Sequence, residues 1–287
     1  MIWVVGKNGM LGREILGVFD KNNIEYFATG SDIDIRNLDL LKDFIADKNI
    51  KTIINCSAYT KVDLAEDEVD LCYSVNSLGV SNLVEVAKSI DANFIHFSTD
   101  YVFDGKSKTP YKEDSKTSPI NIYGRSKLKG EEYSKEYSKS MIIRVSWLYG
   151  VFGKNFVATM INLMNTKDSI KVVNDQLGSP THTLDVANFI YDIICNDNIK
   201  YGIYHYSNDG NISWYDFALS IYELGVKFGF INNKCIINPC SSLEYPTKAK
   251  RAEYTVFSLE KIKNIFNIKI PNYKDSLTKY FEILKTK

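Results

Sequence analysis

The chain has 287 residues, of which 45% are hydrophobic and 24% charged, an ordinary composition for a globular protein with a large buried core. Lysine plus arginine and aspartate plus glutamate both number 35, so the formal net charge is zero. No basic field indicates a nucleic-acid partner or an anionic membrane surface, and we expect neither.

The cysteines and histidines exclude further classes of protein. The five cysteines are scattered and form no CxxC pair, which favours reduced thiols in the cytoplasm. The three histidines have no metal-ligand spacing, so we expect no metal site. No apolar run reaches the roughly 18 residues of a membrane span. The N-terminal "MIWVVGKNGM" lacks the pattern of a signal peptide, and we predict a cytoplasmic protein.

The first half of the chain alternates short apolar runs with helical periods. The predicted strands are 2–5, 24–28, 52–56, 93–98 and 140–146. The predicted helices between them are 10–21, 38–48, 75–90 and about 121–138. This alternation predicts right-handed βαβ units and therefore an α/β fold, a Rossmann-type doubly wound parallel sheet.

The second half is less regular. Helices are predicted at 155–165, 183–195, 213–228, 258–265 and 273–285, separated by polar, aromatic-rich loops. We expect residues 1–146 to form an NAD(P)-binding Rossmann core to which later segments return. Residues 147–287 should form mainly a smaller C-terminal substrate-binding lobe that packs on the sheet.

A glycine-rich loop follows the first predicted strand. The stretch "VVGKNGMLGREI" places Gly6, Gly9 and Gly12 between that strand and the first helix. Glycines there allow a tight turn and a close backbone approach to a pyrophosphate, whose charge is stabilised at the helix N-terminus. The pattern indicates a dinucleotide site; the alternative is a tight strand–helix turn with no ligand.

The end of the second strand bears on which dinucleotide is used. An acid at this place binds the ribose 2′-hydroxyl of NAD, but residues 29–31 read "TGS", and Asp32 and Asp34 come late. No arginine replaces the acid, although Lys7 lies in the glycine loop. The pattern favours NADPH, with NADH as the alternative.

One tyrosine stands out among 19, because only Tyr123 is followed four residues later by a lysine, Lys127. On a helix this spacing places both side chains on one face, and an ammonium there should lower the pKa of the phenol. Thr99 ends the preceding strand, where its hydroxyl could bind the same substrate oxygen. These three residues predict a ketone reductase. Tyr101 and Tyr111 have no such lysine and should lie in a substrate wall or at the surface.

The chain resembles the extended short-chain dehydrogenases/reductases, and within them the dTDP-4-dehydrorhamnose reductase family. The resemblance runs nearly end to end and rests on "GKNGMLG", "NCSAYTKVDLAE", "STDYVFDG", "YGRSKLKGE", "RVSWLYG", "KNFVATM" and "VVNDQLGSPTHTLDVA". In that family the threonine of the STDYVF motif and the tyrosine and lysine of the YxxxK motif are catalytic. The resemblance therefore implies the same roles for Thr99, Tyr123 and Lys127.

The family resemblance also implies binding residues. Cofactor contacts fall on Gly9, Met10, Leu11, Asp34, Ile35, Ala58, Tyr59 and Thr60, and also on Tyr123 and Lys127. Nucleotide-sugar contacts fall on Tyr101, Trp147, Asn155 and Gln176. Trp147 would otherwise be read as a core residue. Where the family often has an Arg-Pro pair this chain has Arg251 and Ala252. Arg251 is the best local cation for a diphosphate; the alternative is that "KAKR" (248–251) is a solvated surface run.

The implied reaction is reduction of the C4 keto group of a nucleotide 4-keto-6-deoxysugar, with NADPH (NADH possible) as hydride donor. The expected conversion is of dTDP-4-dehydro-L-rhamnose to dTDP-L-rhamnose for polysaccharide synthesis, by a monomer or homodimer. A 4,6-dehydratase needs an acid pair after Thr99, and the second acid is missing, since Tyr101 follows Asp100. An epimerase and a non-catalytic subunit, like the regulatory subunit of methionine adenosyltransferase, are the remaining alternatives.

Overall fold

The computed structural model describes residues 1–286, and its centre is one sheet of six parallel strands. In chain order the strands are β1 (Ile2–Val5), β2 (Tyr26–Thr29), β3 (Thr52–Asn55), β4 (Asn93–Thr99), β5 (Ser140–Val145) and β6 (Gly202–Tyr206). Their spatial order is β2-β1-β3-β4-β5-β6, so the chain changes direction between β1 and β3. Ligands of doubly wound sheets bind at such a switch point, beyond the carboxyl ends of the strands. The predicted Rossmann-type fold is confirmed.

Ten α-helices surround the sheet in residues 1–286. They are α1 (Met10–Lys21), α2 (Leu38–Ile45), α3 (Val69–Tyr73), α4 (Gly79–Ser89), α5 (Ile122–Lys135), α6 (Phe156–Thr166), α7 (Thr183–Cys195), α8 (Trp214–Phe228), α9 (Glu260–Phe266) and α10 (Tyr273–Lys285). Helices α1 and α7 pack together on one face of the sheet, and α2, α4 and α5 cover the other. None of these helices has the length and apolar character needed to cross a bilayer.

A third apolar core lies outside the sheet and is built by α6, α8 and α10. Short strand pairs border it: Leu148–Tyr149 with Thr181–His182, Ser169–Val173 with Ile236–Cys240, and Leu177–Gly178 with Ile212–Ser213. Ser213 and Asp216 form a capping box that fixes where α8 begins. The division of the chain at residue 146 stays a prediction, although β6 and α7 do return to the sheet from the second half.

Two predicted elements differ from the structure. The helix predicted at 75–90 is preceded by α3 and begins with a π-helical segment, Ser74–Leu78, before α4. In that segment the Asn76 side chain bonds both backbone polar atoms of Tyr59, at 2.8 and 3.1 Å, which supports the wider turn. Strand β6 was not predicted, and neither were the short strands beside the third core; β6 starts at Gly202 with φ of 120°, and a glycine weakens a strand pattern.

Candidate active site

Two cavities lie at the carboxyl edge of the sheet. The glycine-loop cavity, about 410 Å³, is lined by residues that follow β1, β2 and β3, including Gly6, Gly9 and Ala58. The tryptophan cavity, about 370 Å³, is lined by residues from both halves of the chain, including Tyr101 and Trp147. The chain thus offers one site at its switch point and a second beside the third core.

The glycine loop has the geometry of an anion cradle. Gly6 has φ of 91°, and a Cβ there would lie 2.7 Å from the backbone nitrogen of Ser57, so only glycine fits. A Cβ on Gly12 would collide with the carbonyl oxygen of Gly6. Gly9 caps α1 without any side-chain hydrogen bond, and the first turn of α1 has no acid. The positive end of α1 is therefore available to a phosphate.

The predicted cofactor residues fall into two groups. Five line the glycine-loop cavity: Gly6, Gly9, Asp34, Ile35 and Ala58. Seven do not line it: Met10, Leu11, Gly12, Tyr59, Thr60, Tyr123 and Lys127. Leu11 packs in the core beneath α1, and the Tyr59 hydroxyl turns away to donate to Glu68 at 2.8 Å.

Arg36 lines the same cavity and was missed by the sequence reasoning, which found no arginine near the end of β2. Its Nε and Nη2 donate to the two Asp34 carboxylate oxygens at 2.9 and 2.7 Å. Lys7, the cation considered instead, pairs with Asp32 at 3.1 Å. The sequence does contain this arginine. In "DIDIRN" Arg36 follows Asp34 by two residues, where it can approach a ribose 2′-substituent.

The tryptophan cavity contains four of the five predicted substrate residues: Tyr101, Trp147, Gln176 and Arg251. The fifth, Asn155, does not line it. Its side chain instead caps α6 by accepting from the Ala158 nitrogen at 3.0 Å and donates to the Gly150 oxygen at 2.8 Å. Asn155 thus fixes the start of a helix that supplies cavity residues.

Trp147 is held in an unusual conformation at the cavity wall. Its φ is 45°, a left-handed backbone that is rare for a bulky residue and occurs at functional sites. Its ring stacks on that of Trp214, with centroids 3.5 Å apart and planes at 9°. Gly178 allows this, since a Cβ there would lie 2.5 Å from Trp147 Cε2. Trp147 packs at the edge of the third core and lines the cavity as well.

The predicted catalytic trio comes together at the end of β4 and on the first two turns of α5. Tyr123 and Lys127 share a face of α5, and the Tyr123 ring meets Tyr101 edge-on, with centroids 5.3 Å apart. The Thr99 side chain lies close enough to Tyr123 to influence the pKa of the phenol. Lys127 is buried, and its Nζ donates to the Phe97 backbone oxygen at 2.6 Å. Tyr111, by contrast, is buried and stacks on Phe103, so it lies neither in a substrate wall nor at the surface.

The prediction that the pKa of Tyr123 is lowered toward neutrality is wrong. The pKa of Tyr123 is raised, first because burial penalises the phenolate and second because the Asp100 carboxylate lies near, while the hydrogen bond to Thr99 acts in the opposite direction. Burial also lowers the pKa of Lys127 to about 8. At neutral pH Tyr123 is thus a protonated phenol, the form that a proton donor requires.

Asp100 is a second residue that the sequence reasoning did not assign to the site. It is buried and lines the tryptophan cavity. Burial raises the pKa of this carboxyl to about 6, against hydrogen bonds from Thr255 and Thr99, the latter with its Oγ1 3.0 Å from Asp100 Oδ1. The sequence did contain a signal, because Asp100 lies between Thr99 and Tyr101 at the end of a predicted strand. A buried carboxylate with a raised pKa in a cavity is typical of a functional site.

The comparisons with known proteins agree with this geometry. Residues 1–286 match the family model described as RmlD substrate binding domain. A dTDP-4-dehydrorhamnose reductase of Aggregatibacter actinomycetemcomitans is 39% identical over 281 residues, 96% of each chain. The crystal structure of a dTDP-4-dehydrorhamnose reductase from Clostridium acetobutylicum has a TM-score of 0.93 at 40% identity and covers 99% of each chain. That of a Bacillus anthracis dTDP-4-dehydrorhamnose reductase in complex with NADP has a TM-score of 0.91 at 36% identity, covering 98% of each chain. The resemblance seen in the sequence is confirmed, and the chain belongs to the RmlD substrate binding domain family.

Proposed function

We propose that this protein reduces the C4 keto group of a nucleotide 4-keto-6-deoxysugar with NADPH, converting dTDP-4-dehydro-L-rhamnose to dTDP-L-rhamnose for cell-surface polysaccharide synthesis. The observation that carries this proposal is the position of the Tyr123–Lys127 face between the two cavities. Tyr123 contacts Tyr101 in the wall of the tryptophan cavity. Lys127 lies within electrostatic reach of Cys56 in the wall of the glycine-loop cavity. A reductase needs its proton donor between cofactor and ketone.

The glycine-loop cavity fits a phosphorylated dinucleotide. Gly6 and Gly9 permit close backbone approach, and the uncapped start of α1 suits the pyrophosphate. Arg36 in the cavity wall supplies a cation for a 2′-phosphate, which supports NADPH over NADH. Bound NADPH supplies the hydride; NADH remains the second cofactor expected to bind.

Tyr123, Thr99 and Lys127 have different roles in the proton transfer. Tyr123 gives its proton to the C4 oxygen as negative charge develops there. The Thr99 hydroxyl lies near Tyr123 and donates to Asp100, which fixes its orientation at the end of β4. Lys127, anchored on Phe97, places a positive charge below the phenol, where it stabilises the phenolate left behind.

The tryptophan cavity suits a nucleotide sugar. Stacked Trp147 and Trp214 offer a flat apolar wall, Gln176 an amide, and Arg251 a guanidinium for the diphosphate. Arg251 lines the cavity, and its Nη1 bonds no group of residues 1–286, so the guanidinium has hydrogen-bonding capacity left. The surface reading of "KAKR" fits Lys248, whose exposed ammonium pairs with Asp67, but not Arg251.

Several alternatives are less well supported. A 4,6-dehydratase needs a second acid where Tyr101 stands, and the cavity contains only Asp100 at that strand end. A non-catalytic subunit does not require a buried lysine such as Lys127, or a carboxyl group with a raised pKa such as Asp100 in the tryptophan cavity. We propose a cytoplasmic location, supported by five free cysteines. The monomer or homodimer and the absence of a nucleic-acid partner stay predictions.

The test is an NADPH-oxidation assay with purified protein against a panel of nucleotide 4-keto-6-deoxysugars, with the product identified by mass and NMR. Stoichiometric consumption of NADPH and formation of the C4 alcohol are expected, with the dTDP-linked sugar preferred. An epimerase would convert substrate without net consumption of NADPH. A protein that binds the sugar nucleotide and reduces none of the panel is a binding subunit.

A further inference from the structure

Arg251 is oriented by a residue far away in the chain. Its Nη2 donates to Asp63 Oδ2 at 2.7 Å, and the two residues are 188 positions apart. The other carboxylate oxygen of Asp63 accepts from the Ala249 backbone nitrogen at 3.0 Å. One carboxylate therefore fixes both the backbone of the loop that carries Arg251 and one nitrogen of its guanidinium.

The 244–251 loop, which contains Tyr245, Thr247 and Arg251 of the tryptophan cavity, is anchored at both ends. Just before it, Ser242 donates to Asp175 at 2.6 Å. At its far end, Asp63 holds Ala249 and Arg251, and the Asn121 amide donates to the Lys250 oxygen at 2.8 Å. The far anchors lie in the first half of the chain, so the loop bridges the halves across the cavity mouth.

The Asp63 pair differs from its neighbour in burial. The Arg251 side chain is 19% exposed and that of Asp63 48%, whereas Lys248 and Asp67, which also join the loop to this segment, are both 53% exposed. The difference lies in the cation. An exposed ion pair is screened by solvent and contributes little, while a charge-assisted bond to a largely buried guanidinium restricts it strongly. Asp63 binds only Nη2 of the guanidinium, and Arg251 Nη1 has no hydrogen-bond partner in residues 1–286.

We infer that Asp63 is a positioning residue for substrate binding: it holds Arg251 so that the guanidinium meets the anionic diphosphate of the nucleotide sugar. This inference rests on the function proposed above. The segment "KVDLAE" that carries Asp63 thereby gains a role that neither cofactor nor catalytic chemistry assigns. Asp63 touches no reacting atom and acts through Arg251 alone, so its removal should change substrate affinity and not the chemical step.

The test compares Asp63→Asn with Asp67→Asn, which removes the same charge from the same segment. Asp63→Asn should raise KM for the keto sugar and the Kd of dTDP about tenfold, with kcat within twofold and the Kd of NADPH unchanged. Asp67→Asn should change none of these by more than twofold. Because a neutral amide keeps the shape of Asp63, thermal unfolding should confirm that both variants fold.

A double-mutant cycle separates positioning from general damage. If Asp63 acts through Arg251, the variant Asp63→Asn/Arg251→Ala should bind dTDP no more weakly than Arg251→Ala alone. Additive losses, or an Asp63→Asn variant that binds dTDP like the wild type, overturn the inference while the wild-type reductase activity leaves the proposed function standing. A wild-type protein that neither binds dTDP nor reduces the sugar overturns both.

Discussion

Trp147 and Trp214 stack face to face, with ring centroids 3.5 Å apart, although 67 residues separate them in the chain. The stack is possible because Gly178 has no side chain against the Trp147 ring. Trp147 in turn has a left-handed backbone with φ of 45°. A strained backbone in a cavity wall indicates that the direction of the Trp147 ring matters for the ligand.

Gly178→Ala should therefore weaken substrate binding. The added methyl carbon would start 2.5 Å from Trp147 Cε2, so the indole has to move out of the stack. We expect KM for the keto sugar to rise about tenfold, equivalent to roughly 1.4 kcal/mol, with NADPH affinity unchanged. Steady-state kinetics and the change in tryptophan fluorescence on adding dTDP measure this. Gly17→Ala, at a position with open space, is the matched control. A wild-type KM in Gly178→Ala would remove Trp147 from the substrate wall.

Cofactor preference should depend on Arg36. Its guanidinium lines the glycine-loop cavity and can bind a 2′-phosphate, which NADH lacks. Arg36→Ala should weaken NADPH about tenfold and leave NADH unchanged, as measured by calorimetry, while the wild type binds NADPH at least as tightly as NADH. Lys42→Ala, an exposed cation on the same side, should have no effect on either. An equal loss for both cofactors would show that Arg36 only orders the loop.

Asp100 should make stability depend on pH. Its folded pKa is raised from 3.8 to about 6, so between these values the folded chain holds a proton that the unfolded chain has released. The free energy of unfolding therefore falls as pH rises through this window and stays lower above it. Asp100→Asn has no ionisable group at this position, so it lacks this loss of stability with rising pH. Relative to the wild type, it should gain about 2–3 kcal/mol on going from pH 4 to pH 8.

Urea unfolding at the two pH values measures this difference, and comparison between them cancels any hydrogen bonds that the substitution loses at both. Asp114→Asn, at an exposed position, serves as the control and should show no pH-dependent gain. If the two variants behave alike, the Asp100 carboxylate is solvated and its contribution to the site is small.

The sequence predicted the local parts of the site well, because they depend on spacing within one element. A glycine loop after a strand and a tyrosine four residues before a lysine on a helix are patterns of neighbours. Spacing along the sequence does not determine, however, which group the polar end of a side chain contacts. Lys127 shares the face of Tyr123 as predicted, but its Nζ is taken by the Phe97 oxygen, and burial decides the pKa of the phenol.

The missed parts depend on contacts between distant segments. Trp214 comes to Trp147 through packing of the third core, and Asp63 comes to Arg251 through the return of the 244–251 loop to the first half. Neither pairing leaves a periodic trace in one sequence. Asn155 was predicted to contact the substrate. In the structure its side chain caps α6 and does not line the tryptophan cavity.

The pH dependence of turnover should report Lys127. Burial lowers its pKa to about 8, so its charge is present below that pH and lost above it. We expect kcat to fall as pH rises through about 8, since the phenolate then loses its cationic neighbour. Lys127→Met should be slower at every pH, with the alkaline limb of its pH–rate profile moved upward. An unchanged alkaline limb in Lys127→Met would assign that titration to another group.

Tyr123 should be the proton donor. Tyr123→Phe removes one oxygen from a ring that packs edge-on against Tyr101, so the variant should fold and bind NADPH like the wild type. Its kcat should fall by roughly 10²–10⁴, the usual contribution of a positioned general acid. Tyr101→Phe is the matched control, because its ring packs against that of Tyr123 and has no lysine four residues on. It should act mainly on KM. If Tyr101→Phe loses kcat while Tyr123→Phe keeps it, the proton comes from Tyr101, and Arg251, whose guanidinium lies 5.6 Å from that ring, would be the cation that assists it.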